Sequence, residues 1–383
     1  MDRRLHEQEL IQVLIGPRQV GKTTIARTIG DRWPGPAIYA SADEPLPPGA
    51  SWVHSQWERA RARAGESPAL LILDEVQKVQ GWSESVKALW DEDRYKGTNL
   101  AVLLLGSSAL LLSEGTTESL TGRFFLNRCV HWSYDECRDA FGWDLDRWIY
   151  FGGYPGSVKL IGRDDEWRQF VNDSLIETVI SRDVLASHRI AKPVLLRHLF
   201  LLAARFPAQV VSYSKMLGQL QDAGNTTTLA NYVRILETAF LLSGLERFSA
   251  GHARSRGSSP KLVFWNNALV SAPGLRSFED ARSDPAYWGR LVENAVGAHL
   301  LNRLQSLPYD IGYWRHRNDE VDYVVRTPNR LWAIEVKSGR PDATRGLDAF
   351  CRLHREARPM IVGTSGMPLD EFFGTDPVHW LAN

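Results

Sequence analysis

Residues 16–23 have the types and spacing of a phosphate-binding loop. They read GPRQVGKT, the G-x-x-x-x-G-K-T pattern, and an apolar run at 11–15 precedes them. In this pattern glycines let backbone N–H groups face phosphates, Lys22 reaches the β- and γ-phosphates, and the Thr23 hydroxyl ligates Mg²⁺. A glycine-rich turn with an incidental lysine is the alternative. The helical pattern TTIARTIG that follows at once favours the phosphate site.

An acidic pair ends the second buried-type run. Residues 69–79 read ALLILDEVQKV, so Asp74 and Glu75 follow apolar residues. A strand beside the first one would bring Asp74 to the Mg²⁺ and let Glu75 polarise the attacking water. A plain solvated turn is the alternative.

Two further positions could act on the transferred phosphate. A third apolar run ends in Gly-Ser-Ser, where Ser107 or Ser108 could orient the lytic water or sense the γ-phosphate, or else cap the next helix. Arg123, in LTGR, lies at a helix-to-strand junction, from which it could neutralise charge on a neighbouring subunit's nucleotide. A surface ion pair is the alternative for Arg123.

Four charged residues nearer the C-terminus have types that suit a metal and a phosphodiester. Glu293 lies in a helical pattern at 285–304, Asp322 lies in a strand, and Glu335 and Lys337 alternate on one face of the next strand. Asp322, Glu335 and Glu293 could hold a divalent metal. Lys337 could orient or deprotonate a water. A salt-bridged structural remnant is the alternative.

The order of the N-terminal motifs resembles that of AAA-type ATPases, above all a bacterial and archaeal group with a C-terminal domain of poorly known function. The resemblance rests on GPRQVGKTT, LILDEVQKV, LLLGSSALL, LTGR and TVISRDVL. It implies ATP and Mg²⁺ as ligands and a ring-like, hexamer-like homo-oligomer. The residues that it implies in nucleotide binding are Gly16, Pro17, Arg18, Gln19, Val20, Gly21, Lys22, Thr23 and Thr24.

Two features extend or limit this resemblance. The stretch FGGYPGSV matches a turn after the ATPase core, where Pro155 would contact the base and Gly153 would permit the turn; a simple helix break is the alternative. Only about ten residues precede the first strand, where this group carries a longer segment. We therefore expect a truncated start, which leaves open any N-terminal contribution to the nucleotide site or to the subunit contact.

The C-terminal order helix-Glu, strand-Asp, strand-Glu-x-Lys resembles the PD-(D/E)XK nuclease core. Residues 310–339 read as three strands divided by two turns, with Glu320 and Asp322 on one face of the second. The resemblance implies a second divalent metal and metal-dependent cleavage of nucleic acid. This fold is also inherited without activity.

The middle of the chain is basic and helical. Residues 186–261 hold ten Lys and Arg against three Asp and Glu, although the whole chain has a net charge of zero. With a basic hairpin at 249–265, the pattern predicts a winged helix in which Arg254, Arg256 and Lys261 bind DNA or RNA phosphates without sequence preference. A packing module is the alternative. The helical patterns cover 193–206, 211–224 and 225–248.

Length and composition complete the expectation of an α/β protein. A chain of 383 residues exceeds one ordinary core. No apolar run is long enough to cross a membrane, and three cysteines without a CxxC pair favour the reducing cytoplasm. We divide the chain into a P-loop ATPase core (1–132), a helical lid (133–185), a winged-helix-like region (186–262) and a restriction-endonuclease-like domain (263–383).

The sequence therefore predicts an ATPase that couples ATP turnover to a nucleic-acid-binding, nuclease-like module. The alternative is a nucleotide-dependent switch or scaffold whose nuclease-like domain is inactive and binds a partner.

Overall fold

The computed structural model divides the chain into two compact units. The first unit comprises Met1–Val130 with Ser181–Arg189, and the second comprises His131–Ile180 with Ile190–Asn383. The residues that the structure describes are 1–44, 48–65, 67–107, 120–185, 190–220, 224–249, 259–339 and 344–382.

A parallel five-stranded sheet forms the centre of the first unit. Its strands are β1 (Ile11–Gly16), β2 (Ala37–Ser41), β3 (Ala69–Asp74), β4 (Leu100–Ser107) and β5 (Phe124–Arg128), in the order β2-β3-β4-β1-β5. Every residue of β1 and β3 is buried, including the polar Gln12 and Asp74, as largely apolar runs in a sheet covered on both faces predict. The carboxyl ends of the parallel strands lie at one edge, where Gly16 pairs in register with Ser107.

Neighbouring residues of one strand enter different cores. Val13 packs with Leu71 in one cluster, whereas Leu14 packs with Leu70 in the other, because successive side chains of a strand point to opposite faces. The helical segments of this part of the chain are Asp2–Glu7, Lys22–Arg32, Ser51–Arg61, Val76–Lys78 and Trp82–Lys96.

The second unit contains a mixed four-stranded sheet. Its strands are β8 (Asp310–His316), β9 (Asp319–Arg326), β10 (Leu331–Lys337) and β11 (Ala357–Gly363), in the order β11-β10-β9-β8. β8, β9 and β10 pair antiparallel and β10 pairs parallel with β11, so the three strands predicted over 310–339 are confirmed.

One long helix of the second unit is more buried than its pattern indicates. Pro285–Leu304 has the predicted bounds, but every residue from Leu291 to Leu301 is buried, so the helix has no polar face over that stretch. Glu293 is therefore inside the protein. Outside the basic middle region, the other helical segments after residue 130 are Tyr134–Phe141, Leu145–Phe151, Pro155–Leu160, Asp164–Gln169, Phe170–Glu177, Val179–Val184, Ala268–Ser271, Phe278–Ser283, Arg345–Leu353, Leu369–Gly374 and Val378–Leu381.

The basic middle region contains three helices and a strand pair. The helices are Pro193–Ala203, Tyr213–Leu217 and Thr226–Thr238, and β6 (Leu242–Leu245) pairs antiparallel with β7 (Lys261–Phe264). The prediction of a third helix to residue 248 is wrong. The helix ends at Thr238, and Phe240 takes a φ of +55°, which a helix cannot continue. The winged-helix assignment stays a prediction.

Among the helices in the described ranges, none combines the length and apolar character needed to cross a membrane.

Candidate functional site

The predicted phosphate loop connects β1 to the helix Lys22–Arg32. Gly21 precedes this helix with a φ of +96°, a conformation that residues with a Cβ rarely adopt. A Cβ on Gly16 would lie 1.8 Å from the Cys129 carbonyl oxygen, so the close pairing of strand ends requires glycine there as well. Two glycines thus shape the loop for different reasons.

The Lys22 ammonium is held by the loop itself. Its Nζ atom donates to the Gly16 carbonyl at 3.0 Å and to the Pro17 carbonyl at 2.7 Å. Burial lowers the pKa of Lys22, and the Glu75 carboxylate opposes that shift. The cation contacts neutral carbonyl oxygens here, which phosphate oxygens could replace without breaking an ion pair.

Asp74 accepts two hydroxyl hydrogen bonds on the same oxygen. Thr23 Oγ1 lies 2.9 Å and the Tyr39 hydroxyl 2.7 Å from Asp74 Oδ2. The structure thus brings Thr23 and Asp74 together at the carboxyl edge of the sheet. Tyr39 was missed by sequence reasoning, although it lies on β2, which pairs with β3.

Glu75 lies directly after β3 with a φ of +54°, which is uncommon for a residue with a side chain. Its Oε2 accepts a hydrogen bond of 2.6 Å from Gln77 Nε2. Burial raises the pKa of the Glu75 carboxyl; the Arg18 cation opposes the shift and the Asp74 carboxylate adds to it. A carboxylate of this kind is a stronger base than one in water.

A bidentate ion pair fixes Arg18 of the phosphate loop. Its Nε donates to Asp183 Oδ2 at 2.7 Å and its Nη2 to Asp183 Oδ1 at 2.6 Å. The Asp183 side chain is 4% exposed. Asp183 belongs to the stretch TVISRDVL, for which the sequence predicted no role in the site.

Arg123 forms an ion pair within its own unit. Its Nε donates to Asp91 Oδ1 at 2.7 Å and its Nη2 to Asp91 Oδ2 at 2.9 Å. This contact is the alternative left open by the sequence, and a role in trans stays a prediction. For Ser107 the structure gives the backbone position beside Gly16, and Ser108 lies outside the described residues.

The turn before Pro155 requires two glycines. Gly152, not Gly153, takes the left-handed conformation, with a φ of +66°. Gly153 is needed for another reason, because a Cβ there would lie 2.0 Å from the Trp132 carbonyl oxygen. Pro155 begins the short helix Pro155–Leu160 of the second unit, and its contact with a base stays a prediction.

Carboxylates of the C-terminal domain surround Lys261, which the sequence predicted to lie on an exposed basic hairpin. Lys261 Nζ lies 2.5 Å from Glu293 Oε1 and 3.3 Å from Asp322 Oδ1. Its side chain is 0% exposed, so the expectation that Lys261 binds nucleic-acid phosphates on a hairpin is wrong. The apolar context of β7, KLVF, was the available signal, because a strand buried throughout also buries its first residue. Arg254 and Arg256 lie outside the described residues.

Glu335 and Lys337 pair with each other at the end of β10. Lys337 Nζ lies 3.0 Å from Glu335 Oε1, and Glu335 Oε2 has no hydrogen-bond partner among the described residues. Burial, followed by repulsion from Asp322, raises the pKa of Glu335 to about 7. The same two causes raise the pKa of Glu293 to about 7, with Lys261 opposing the rise.

This carboxylate cluster does not fit a divalent metal well. Asp322 Oδ2 accepts the Val336 N–H at 2.8 Å, and its Oδ1 faces the Lys261 ammonium. Across the described residues, no group of three or more His, Cys, Asp or Glu is arranged to hold a metal ion.

Three family models match successive parts of the chain. Residues 8–137 match a model described as an AAA domain. Residues 142–279 match a domain of unknown function, DUF8612, and residues 288–373 match another, DUF4143.

Three relatives that match most of this chain bear the name uncharacterised protein. One from Haemophilus influenzae is 22% identical, and the match covers 81% of this chain and 76% of the relative's length. Two from Mycobacterium bovis and Mycobacterium tuberculosis are each 26% identical and cover 90% of this chain and 74% of theirs.

A solved chain titled "Structural Basis for Katanin Self-Assembly" is 21% identical, with a TM-score of 0.28. The match covers 39% of this chain and 55% of that one, and a score this low carries no argument about fold or assembly. The family models show that this chain carries a P-loop ATPase-like AAA domain and, after it, a C-terminal domain whose family has no assigned function.

Proposed function

We propose that this protein binds ATP with Mg²⁺ at the loop of residues 16–24 and hydrolyses it. The observation that carries the proposal is the hydrogen bond from the Thr23 hydroxyl to the Asp74 carboxylate. The buried Lys22, which donates to two carbonyls of the same loop, supports it. Hydroxyl and carboxylate oxygens are the ligands that Mg²⁺ prefers, so Thr23 and Asp74 would hold it. When bound, Mg²⁺ supplies charge neutralisation at the phosphates.

The chain's own groups account for the remaining chemistry. Lys22 exchanges its loop carbonyls for β- and γ-phosphate oxygens, and Gly21 leaves the start of the helix open to them. Glu75 takes the proton of the attacking water, a role that its raised pKa favours. Ser107, at the end of β4 beside Gly16, orients that water.

Hydrolysis in this proposal takes place in a homo-oligomer, with Arg123 acting on the nucleotide of a neighbouring subunit. Its partner Asp91 is 44% exposed, and ion pairs at the surface are weak enough to exchange for a phosphate. The resemblance to AAA-type ATPases supports the same arrangement.

Turnover by two variants tests the proposal. Lys22→Ala should lose ATP binding, whereas Glu75→Gln should bind ATP and lose turnover, because only water activation is removed. Glu58→Gln, an exposed carboxylate of the same unit, is the matched control and should behave as wild type. Wild-type turnover by Glu75→Gln would show that another group activates the water.

For the second unit, one observation favours a nucleotide-dependent switch or scaffold over a nuclease. A nuclease would need a metal at Asp322 and Glu335, and the ammonium of Lys261 already lies 3.3 Å from Asp322 Oδ1. We therefore place partner binding ahead of nucleic-acid cleavage as the task that ATP turnover controls.

A further inference from the structure

Lys261 is an unusually enclosed cation. It begins β7, and its side chain is fully buried. Lysine is almost never fully buried unless its ammonium is paired, because an unpaired charge inside a protein is unstable. The groups that surround Lys261 must therefore pair with its ammonium.

Three carboxylates and an aromatic ring surround the ammonium. The oxygen atoms closest to Nζ belong to Glu293 at 2.5 Å, Asp322 at 3.3 Å and Glu320 at 3.9 Å. The ring centroid of Tyr323 lies 4.8 Å away, so the cation also faces a π surface. These residues come from the helix Pro285–Leu304 and from β9, two of the three elements that contribute acidic residues to the predicted metal site.

Each carboxylate of the cluster already has a cation near it. Besides Lys261, three cations each approach one carboxylate of the cluster: Arg290 with Glu293 at 2.9 Å, Lys337 with Glu335 at 3.0 Å, and Arg315 with Glu320 at 3.8 Å. With Asp322 included, the described residues thus provide four carboxylates and four cations. A divalent ion would therefore have to enter a group of carboxylates that already face cations.

A metal would also compete for the same oxygens. Glu293 Oε1 and Asp322 Oδ1 face the ammonium, and Asp322 Oδ2 holds the Val336 N–H. Two cations bound to the same oxygens inside a protein repel each other strongly. Metal binding would therefore require that the buried ammonium first leave its site.

We propose that the ammonium of Lys261 occupies the place of a metal ion in the carboxylate cluster of the C-terminal domain. The domain consequently holds no divalent ion at Glu293, Asp322 and Glu335 and does not cleave phosphodiesters; Lys261 ties β7 to the long helix and to β9. The proposal is independent of ATP hydrolysis in the first unit.

Manganese binding by the full-length chain tests this directly. Free Mn²⁺ is measured by electron paramagnetic resonance, without nucleotide and in an Asp74→Asn background that removes the carboxylate of the ATP site. We expect no Mn²⁺ site that depends on Asp322 in this protein. Adding Lys261→Met should create one Mn²⁺ site per chain, and adding Asp322→Asn as well should abolish it.

Lys215→Met is the matched control, since Lys215 is an exposed lysine of the same unit, and it should bind no Mn²⁺. Mn²⁺ binding by the unaltered cluster that Asp322→Asn removes would overturn the proposal, and so would a folded Lys261→Met protein that binds none. Where circular dichroism shows that Lys261→Met is unfolded, the titration of the unaltered cluster decides alone. Cleavage of duplex DNA with Mn²⁺ that Asp322→Asn abolishes would also refute it.

Discussion

The Thr23 hydroxyl donates a hydrogen bond of 2.9 Å to Oδ2 of Asp74, and Tyr39 donates to the same oxygen at 2.7 Å. Two donors therefore orient the carboxylate that ends β3. Thr23→Ala should abolish Mg²⁺-dependent ATP turnover, whereas Thr23→Ser keeps the hydroxyl and should retain most of it. Turnover should be measured at saturating ATP across a range of Mg²⁺ concentrations, and equal losses in both variants would exclude the hydroxyl as the operative group.

Substitution of Tyr39 should reduce Mg²⁺-dependent ATP turnover less than substitution of Thr23 does, although both residues contact the Asp74 carboxylate. Tyr39→Phe removes one hydrogen bond to Asp74, worth about 1 kcal/mol, which corresponds to a roughly fivefold loss of turnover at limiting Mg²⁺. We expect the variant to need a higher Mg²⁺ concentration than the wild type for the same turnover, and high Mg²⁺ should restore wild-type turnover. A loss as large as that of Thr23→Ala would mean that Tyr39 contacts the substrate itself.

Separate substitutions of Arg123 and of Asp91 distinguish an action of Arg123 on a neighbouring subunit from a surface ion pair alone. Arg123→Ala should bind ATP normally and turn it over slowly, while Asp91→Ala removes the same ion pair and leaves the arginine free to act. ATPase assays over a range of protein concentrations should show wild-type activity rising as the oligomer forms. Similar activities for the two variants, or full activity of a monomer, would leave Arg123 with the ion pair alone.

The pair between Arg18 and Asp183 should stabilise the first unit. Asp183→Asn removes the charge that accepts both hydrogen bonds, and we expect a loss of about 1.5–3 kcal/mol in the free energy of unfolding. Equilibrium urea unfolding measures it. Asp173→Asn, at an exposed position in the same region of the sequence, should change stability little, and an equal effect of both substitutions would argue against the pair.

His299 should make the second unit sensitive to acid. Burial, followed by the charge of Arg303, lowers the pKa of His299 to about 4, with the ring packed against Phe372 and Phe373. Between pH 6.5 and 4 the unfolded chain binds the proton and the folded one does not, so stability falls as the pH falls through that window. At pH 5 this amounts to about 2 kcal/mol.

His299→Gln removes that titration. Urea unfolding at pH 7.5 and pH 5 should show a smaller difference in the variant than in the wild type. An unchanged difference would assign the acid sensitivity to other groups.

Much of the first unit follows from local sequence. The largely apolar runs of β1 and β3 identify buried parallel strands, and in such a sheet the residues after each strand meet at one edge. Thr23 and Asp74 can therefore be paired from spacing alone. Tyr39 cannot, because its contact with Asp74 depends on which strand lies beside β3 and on its register.

The second unit shows where local sequence is insufficient. The strand bounds over residues 310–339 follow from turn residues and alternation, and the sequence indicated that Asp322 and Glu335 could meet. By local composition, Lys261 belongs to a basic hairpin, and only the packing of β7 against the helix Pro285–Leu304 buries it beside Glu293. The sequence gives the charge of each side chain. The group with which that side chain pairs depends on contacts between residues far apart in the chain. The tertiary structure alone therefore decides that this cluster already contains its cation.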